Sequence, residues 1–290
     1  MKFNSGRRDS FKKLALGGAA LGGLSSFQWK DEAPFQLKGN ITHGVCAWSM
    51  RPLSLEELCA NIKKVGVGAI DLIGPNNWET LKKYDIHCSM CNGAELGIPD
   101  GFNDPKFHDQ LENNYKEVIP LVQKAGYTNI IAFSGNRRGM DDETGLKNCE
   151  IGIKKILSTA EKHGVIIQME LLNSRVDHKD YMCDKSAWGI ELCKRISSDN
   201  FKLLFDIYHM QIDEGDIIRS IQTNHQYFGH YHTAGNPGRR DLDDKQEIYY
   251  PPIMQAIVDS GFKGYVSHEF IPKGEDKIAA LGHAVQVCDV

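Results

Sequence analysis

Short runs of β-branched and other apolar residues alternate along this chain with longer segments whose apolar residues recur every three or four positions. The short runs predict buried strands, and the longer segments predict amphipathic helices. Regular alternation of the two predicts a parallel sheet with crossover helices. Eight such units are present, and their predicted strands are Gly44 to Trp48, Ala69 to Ile73, Ile86 to Cys91, Asn129 to Phe133, Val165 to Leu171, Lys202 to Ile207, Gly229 to Thr233 and Gly264 to Phe270.

The segments between the strands support the same count. Helices are predicted at Leu55 to Val65, Lys106 to Ala125 and Gly145 to His163. Eight strand–helix units are expected to close into a barrel, since an open sheet would expose edges and usually carries a glycine-rich phosphate motif, which is absent here. The sequence therefore predicts a single-domain α/β protein, a (β/α)8 TIM barrel over residues 41–290. Left-handed glycine caps are expected at Gly66, Gly126, Gly164 and Gly261.

The first 35 residues differ from the rest. Arg7 and Arg8 precede Phe11 and a weakly apolar run from Leu14 to Leu24, which is too short for a stable membrane anchor. This pattern is similar to a twin-arginine leader, which carries folded proteins across the bacterial inner membrane. We therefore predict an export signal and linker over residues 1–35 and a periplasmic location. The alternative is a basic tail on a cytoplasmic protein.

The net charge and its even distribution argue against nucleic acid as a binding partner. The net charge is −4 with acidic and basic residues evenly mixed, so there is no basic stripe to neutralise a nucleic-acid backbone. A small-molecule substrate is the expected partner, and the sequence leaves association into a homo-oligomer open.

Eight cysteines are spread over a chain long enough to build its own core, so we expect buried thiols rather than a disulfide framework. Cys88 and Cys91 form a CxxC within a predicted strand. Because strand side chains alternate, positions three apart are expected on opposite faces, which argues against a zinc knuckle.

Four ionisable residues stand at the ends of the last four predicted strands. They are Glu170, Asp206, His232 and Glu269, each within an apolar stretch. Strand ends of such a barrel line the active-site mouth, and a carboxylate buried there without a partner is costly. Any one of them can instead be a hydrogen-bonded core residue. All four together favour one divalent metal ion, Mn²⁺ or Mg²⁺ first and Co²⁺ or Zn²⁺ next, because the ligand set is rich in oxygen.

Nearly the whole chain after the leader resembles the xylose-isomerase-like barrel superfamily of sugar isomerases and epimerases, most closely its hydroxypyruvate isomerase branch. The motifs that carry the resemblance are FDIYHMQ (205–211), GHYHTAGNPGR (229–239), EIYY (247–250) and HEF (268–270). The resemblance implies a (β/α)8 barrel whose metal ligands are Glu170, Asp206, His232 and Glu269.

The resemblance also implies substrate contacts from His209 and Arg239 and a less defined role for Glu247. Trp48, at the end of the first predicted strand, is a candidate wall for the substrate or a core residue. Two positions depart from the hydroxypyruvate isomerase pattern. His232 stands where that branch has Gln and the sugar 3-epimerase branch has His. Leu172 stands where relatives usually have Pro.

These residues predict proton transfer next to a carbonyl through an enediolate, with Glu170 and Glu269 as base and acid. The expected substrate is a free sugar or a hydroxypyruvate-like compound, and isomerisation and epimerisation both stay open. Two other functions are weighed. A periplasmic sugar-binding barrel would keep the fold without turnover. An endonuclease-IV-type hydrolase needs three zinc ions, and His43, His87 and His108 do not stand at strand ends to hold them.

Overall fold

The structure, a computed structural model, describes residues 36–290. Eight parallel strands close into a barrel in chain order, each paired with its neighbours and the last paired with the first. The predicted (β/α)8 barrel is confirmed. The strands are β1 (Thr42–Cys46), β2 (Ala69–Ile73), β3 (His87–Cys91), β4 (Asn129–Ala132), β5 (Ile166–Glu170), β6 (Phe201–Asp206), β7 (Phe228–Thr233) and β8 (Tyr265–His268).

Helices surround the barrel and bury their apolar faces against the outside of the sheet, as the apolar periodicity predicts. They are α1 (Leu55–Ile62), α2 (Trp78–Lys83), α3 (His108–Ala125), α4 (Asp142–His163), α5 (Ser186–Ile196), α6 (Ile207–Asp213), α7 (Ile217–Asn224), α8 (Tyr250–Asp259) and α9 (Lys277–Cys288). Gly66, Gly126 and Gly164 end their helical segments in the left-handed conformation that was predicted for them.

The strand bounds differ from the sequence prediction at two places that matter for the mouth of the barrel. β1 ends at Cys46, so Trp48 lies in the short 3-10 turn Ala47–Met50 that follows the strand. β8 ends at His268, so Glu269 is the first residue after its strand. Both side chains therefore leave the sheet at the mouth.

The pairing of β2 with β3 is irregular. Cys88 pairs with Ile70 and Met90 pairs with Asp71, which leaves Ser89 as an extra residue on β3. An extra residue changes which side chains share a face. Consequently the Sγ atoms of Cys88 and Cys91 lie 3.5 Å apart, and the expectation that they point to opposite faces is wrong. All eight cysteines are buried free thiols, as predicted.

The inside of the barrel is only partly apolar. Met90, Ile131 and Leu204 form a small cluster separate from the main core. Buried polar side chains from several strands occupy the interior as well, and these need hydrogen-bond partners within the barrel. Among them are Asp71, Ser89, His230 and His232, which contact one another.

The predicted export signal and linker, residues 1–35, lie outside the described residues, and the periplasmic location stays a prediction. Within residues 36–290, no helix combines the length and the apolar character that crossing a membrane requires.

Candidate metal centre

Four consecutive strands bring the four predicted ligands to one point at the mouth. Glu170 is the last residue of β5, Asp206 is the last residue of β6, His232 is the penultimate residue of β7 and Glu269 follows β8. One nitrogen or oxygen atom from each side chain lies within 4.8 Å of those from the other three. The structure thus gathers the residues that the sequence singled out.

The imidazole of His232 stands among the three carboxylates. Its Nδ1 atom lies 3.0 Å from Glu269 Oε2, 3.3 Å from Glu170 Oε1 and 3.8 Å from Asp206 Oδ2. All four side chains are at least 95% buried, and Glu170 Oε1 has no hydrogen-bond partner among residues 36–290. A buried carboxylate oxygen without a partner is costly, and a bound cation removes that cost. The oxygen-rich donor set fits a divalent metal ion.

Burial and mutual repulsion set the charges of the carboxylates. Burial raises the pKa of Glu170, and the charge of Glu269 adds to this against the opposing effect of His232. Burial raises the pKa of Asp206 to about 7 although Arg239 opposes the shift. The pKa of Glu269 lies well below its usual range, because Arg239 and His232 outweigh the effect of burial. The cluster therefore holds three carboxyl groups but only two positively charged neighbours, Arg239 and His232. A bound cation would balance the remaining negative charge.

Arg239 and Trp48 close one side of the cluster. The Arg239 guanidinium donates to Glu269 and lies 3.8 Å from Asp206 Oδ2. It also stacks over the Trp48 ring, 5.0 Å from the ring centre, and Trp48 Nε1 donates to Glu269 Oε1 at 2.7 Å. The Arg239 side chain is only 14% exposed, so it is not part of a surface salt bridge.

His209, at the start of α6, lies beside Asp206. Its backbone N–H donates to Asp206 Oδ1 at 3.0 Å, which caps the helix, and its Nε2 lies 3.8 Å from Asp206 Oδ2. Asn173 Nδ2 donates to His209 Nδ1 at 2.6 Å, which places the ring proton on Nε2. That buried Nε2 atom has no hydrogen-bond partner in the described part of the chain. The geometry gives His209 a free donor beside the ligand cluster.

Sequence reasoning missed Asn173 and His178, which lie in the loop after β5. The His178 ring packs edge-on against His209 with ring centres 5.2 Å apart, and within the described residues its buried Nε2 also lacks a hydrogen-bond partner. Asn173 comes three residues after Glu170, and this position after a ligand-bearing strand was a signal that could have identified it.

Glu247 is exposed on the loop between β7 and α8. Its Oε1 accepts from Asn236 Nδ2 at 2.6 Å and from Gln211 Nε2 at 3.4 Å. Among residues 36–290 it makes no hydrogen bond to the four clustered side chains. Of the predicted site residues outside the cluster, Glu247 is therefore the one that makes no hydrogen bond to it within residues 36–290.

A second layer of polar residues lies behind His232. Asp71 on β2 accepts from His230 Nε2 at 2.6 Å and from His232 Nε2 at 2.9 Å, and its other oxygen accepts from Ser89. Burial alone would raise the pKa of Asp71, but the two histidines hold it below its usual range. Cys46 Sγ lies 3.7 Å from the same His232 Nε2. The sequence analysis did not identify Asp71, although it is a carboxylate within an apolar strand.

Comparison with known proteins agrees with this architecture. A family model described as "Xylose isomerase-like TIM barrel" matches residues 76–287. The chain is 31% identical to a 2-oxo-tetronate isomerase of Cupriavidus necator over 116 residues, 40% of this chain and 44% of the relative. It is 28% identical to a putative hydroxypyruvate isomerase of Xenopus laevis over 187 residues, 61% of this chain and 66% of the relative. The matches thus span from under half to about two thirds of these relatives.

Solved structures share the fold at low identity. An AP endonuclease of family 2 from Brucella melitensis superposes with a TM-score of 0.74 at 20% identity, covering 83% of this chain and 97% of that chain. D-psicose 3-epimerase with D-tagatose from Clostridium cellulolyticum H10 gives 0.70 at 18% identity, covering 86% and 100%. IOLI protein with a binding zinc atom gives 0.64 at 17% identity, covering 86% and 95%. These likenesses support the fold.

Proposed function

This chain belongs to the xylose isomerase-like TIM barrel family, and from that premise we propose that it is a divalent-metal-dependent isomerase or epimerase of a small hydroxy-carbonyl compound. The observation that carries the proposal is the cluster of Glu170, Asp206, His232 and Glu269, whose donor atoms lie within 4.8 Å of one another at the barrel mouth. Burying three carboxylates and one imidazole together is unfavourable in free energy unless a cation is bound.

The four clustered side chains would hold the metal ion. A bound divalent cation supplies Lewis-acid polarisation of a carbonyl and stabilises the negative charge that develops when a neighbouring C–H is deprotonated. Asp206 Oδ1 already accepts from the backbone N–H of His209, which fixes the orientation of that carboxylate before any ligand binds.

Glu170 and Glu269 are the proposed proton carriers. They end or follow strands on either side of β6 and β7, so they reach the substrate from two different strands. One takes the proton from the carbon next to the carbonyl, and the other returns a proton to the neighbouring carbon or to the opposite face. Trp48 Nε1–H holds one oxygen of Glu269, so that glutamate has a defined orientation.

His209 and Arg239 are the proposed substrate contacts. The free Nε2–H of His209 can donate to a substrate oxygen, and the planar Arg239 guanidinium can donate to two oxygens at once. The relatives that share sequence are named for 2-oxo-tetronate and hydroxypyruvate, and a relative of the same fold is named for psicose. The shared unit is a carbonyl beside a hydroxyl-bearing carbon, and this unit defines the proposed substrate class.

The test is solvent hydrogen exchange by NMR. Residues 36–290 loaded with Mn²⁺ are incubated in D2O with ketoses, aldoses and hydroxy-keto acids, and the metal is removed before spectra are recorded. We expect deuterium to enter at carbon in at least one compound, and the labelled position distinguishes isomerisation from epimerisation. Lack of exchange with every compound in the metal-loaded protein would contradict the proposal and favour a binding protein.

Matched variants assign the exchange to the site. Glu170→Gln and Glu269→Gln should each lower the exchange rate by about 10²- to 10⁴-fold, because general acid–base catalysis contributes on that order. Glu112→Gln makes the same chemical change on the outer face of α3, where Glu112 pairs with Lys116, and should leave the rate unchanged. An equal loss in all three variants would point to unfolding.

A further inference from the structure

We infer that Asp71 is a positioning residue that fixes the His232 imidazole so that Nδ1 faces the metal, an inference that rests on the proposed function. Asp71 lies on β2, far along the chain from β7, and its side chain is completely buried inside the barrel. It touches none of the reacting groups proposed above, and it acts through His232.

The two nitrogens of His232 face different surroundings. Nδ1 faces the carboxylates at the mouth, with Glu269 Oε2 at 3.0 Å. Nε2 faces inward and lies 2.9 Å from Asp71 Oδ2. A cation that binds at Nδ1 would displace the proton there, and the imidazole would then keep its one proton at Nε2, where the Asp71 carboxylate accepts it.

The inner contacts are hydrogen bonds rather than a second metal site. Cys46, Asp71 and His232 also have donor atoms within 4.8 Å of one another, so a shared ion is the competing explanation. Both oxygens of Asp71 already accept hydrogen bonds, Oδ1 from Ser89 and Oδ2 from His230 and His232. These hydrogen bonds satisfy the Asp71 carboxylate without an ion.

Asp71 is itself held in place. Ser89 donates to its Oδ1, and His230 donates to the same Oδ2 that binds His232. Ser89 is the extra residue of the β2–β3 irregularity, and Leu72, directly after Asp71, has a left-handed φ of 62°. A left-handed leucine is unfavourable and persists only where its surroundings impose it. The irregular backbone on both strands thus aims Ser89 and Asp71 inward together.

The first test is metal affinity of Asp71→Asn, measured by titrating Mn²⁺ and recording the electron paramagnetic resonance signal of the free ion. Asparagine keeps the size of the side chain but offers a neutral acceptor. We expect Mn²⁺ binding to weaken by about 10- to 100-fold, the usual effect of losing a partner of a metal-bound histidine. Asn129→Leu is the control, because it removes buried hydrogen bonds inside the barrel to Ser89 and Gln168 without touching Asp71 or a ligand. Its Mn²⁺ affinity should stay within about threefold of the parent.

A double-mutant cycle shows whether the effect passes through His232. In a His232→Gln background, Asp71→Asn should weaken Mn²⁺ binding by less than about twofold further, since the group it orients is gone. Full additivity of the two losses would overturn the inference. An unchanged Mn²⁺ affinity in Asp71→Asn alone would also overturn it.

A measurement on the parent needs no variant. In the ¹⁵N-histidine-labelled protein loaded with Zn²⁺, long-range ¹H–¹⁵N spectra should show the His232 proton on Nε2 and none on Nδ1. A proton on Nδ1 overturns the inference. A parent that binds Mn²⁺ but exchanges no substrate hydrogen contradicts the proposed function alone, whereas a parent that binds no divalent ion contradicts both.

Discussion

The four candidate ligands lie at or next to the ends of strands β5 to β8, whereas β1, the turn after it and β2 carry side chains that contact two of them, and β3 supports one of these contacts. Trp48 donates to Glu269, and Asp71 accepts from His232, while Ser89 in turn donates to Asp71. The contacts join residues 221 and 161 positions apart in the chain. One half of the barrel thus supplies the donor atoms, and the other half orients two of the four side chains, His232 and Glu269.

The two halves of the closed barrel therefore have different roles, one in gathering the donor atoms and one in orienting two of the side chains that carry them. Adjacent strand ends bring groups together simply because the strands are parallel and paired. Orientation requires a further contact, and for Glu269 closure of β1 onto β8 provides it, since that pairing brings the β1 end beside Glu269. We therefore expect substitutions of the four candidate ligands to abolish metal binding, and substitutions of the residues that contact them from the other half to weaken metal binding only partly.

The largest expected effect comes from removing a ligand charge. Asp206→Asn keeps the side-chain oxygen that caps α6, because asparagine is as good an N-cap as aspartate, but removes a negative charge from the cluster. We expect Mn²⁺ affinity to fall by more than about 100-fold, beyond the loss typical of an orienting residue.

Thermal unfolding supplies the measurement. At 100 times its dissociation constant, Mn²⁺ should stabilise the parent by about 2.7 kcal/mol, which corresponds to an increase in Tm of about 5–10 °C for a domain of this size. Asp206→Asn should lose that increase while keeping most of the metal-free Tm. Asp109→Asn, at the exposed start of α3, is the matched control and should keep the increase. If Asp206→Asn retains the full increase, the assignment of the ligand half is wrong.

The fold was predictable because its signals are local. Alternating apolar runs and glycine-capped helices predicted every strand to within two residues at each end, and the closed barrel follows from eight such units. The faces of Cys88 and Cys91 were not predictable, because the extra residue Ser89 on β3 is a property of pairing with β2.

The candidate site was predictable only in part, for a related reason. Glu170, Asp206, His232 and Glu269 stand out as ionisable residues in apolar strand ends, which a single sequence displays. The contact between Trp48 and Glu269 depends on barrel closure and leaves no local pattern. Asp71 does show the local signal, a carboxylate within AIDLI, but its role requires knowing what lies across the barrel.

Arg239→Lys tests the link between the two halves of the barrel, because Arg239 contacts side chains from both halves. The guanidinium donates to Glu269 and stacks over Trp48. Lysine keeps the charge but loses the planar fork, so we expect kcat/KM to fall by about 10- to 100-fold, the equivalent of one hydrogen bond to a charged group. Steady-state kinetics of the exchanging substrate measures it, with Arg195→Lys on α5, where Arg195 pairs with Glu143, as the control. No change in kcat/KM would remove Arg239 from the site.

We expect Trp48→Phe to cause the smallest fall in kcat/KM. This variant tests what the turn after β1 contributes to the site. Phenylalanine keeps a ring under Arg239 but removes the Nε1–H that donates to Glu269. Trp48 is half-buried, so water can replace the lost donor, and a net hydrogen bond of about 0.5–1.5 kcal/mol corresponds to a fall in kcat/KM of about 3- to 10-fold.

Trp48→Leu completes this comparison, since it removes the donor and the aromatic face together. Its kcat/KM should fall further than that of Trp48→Phe, because the cation–π contact with Arg239 is also lost. Equal losses in the two variants would mean that the turn acts only through the hydrogen bond to Glu269. Unchanged kcat/KM in both would mean that Glu269 needs no orienting contact, and the division between the two halves would then rest on Asp71 alone.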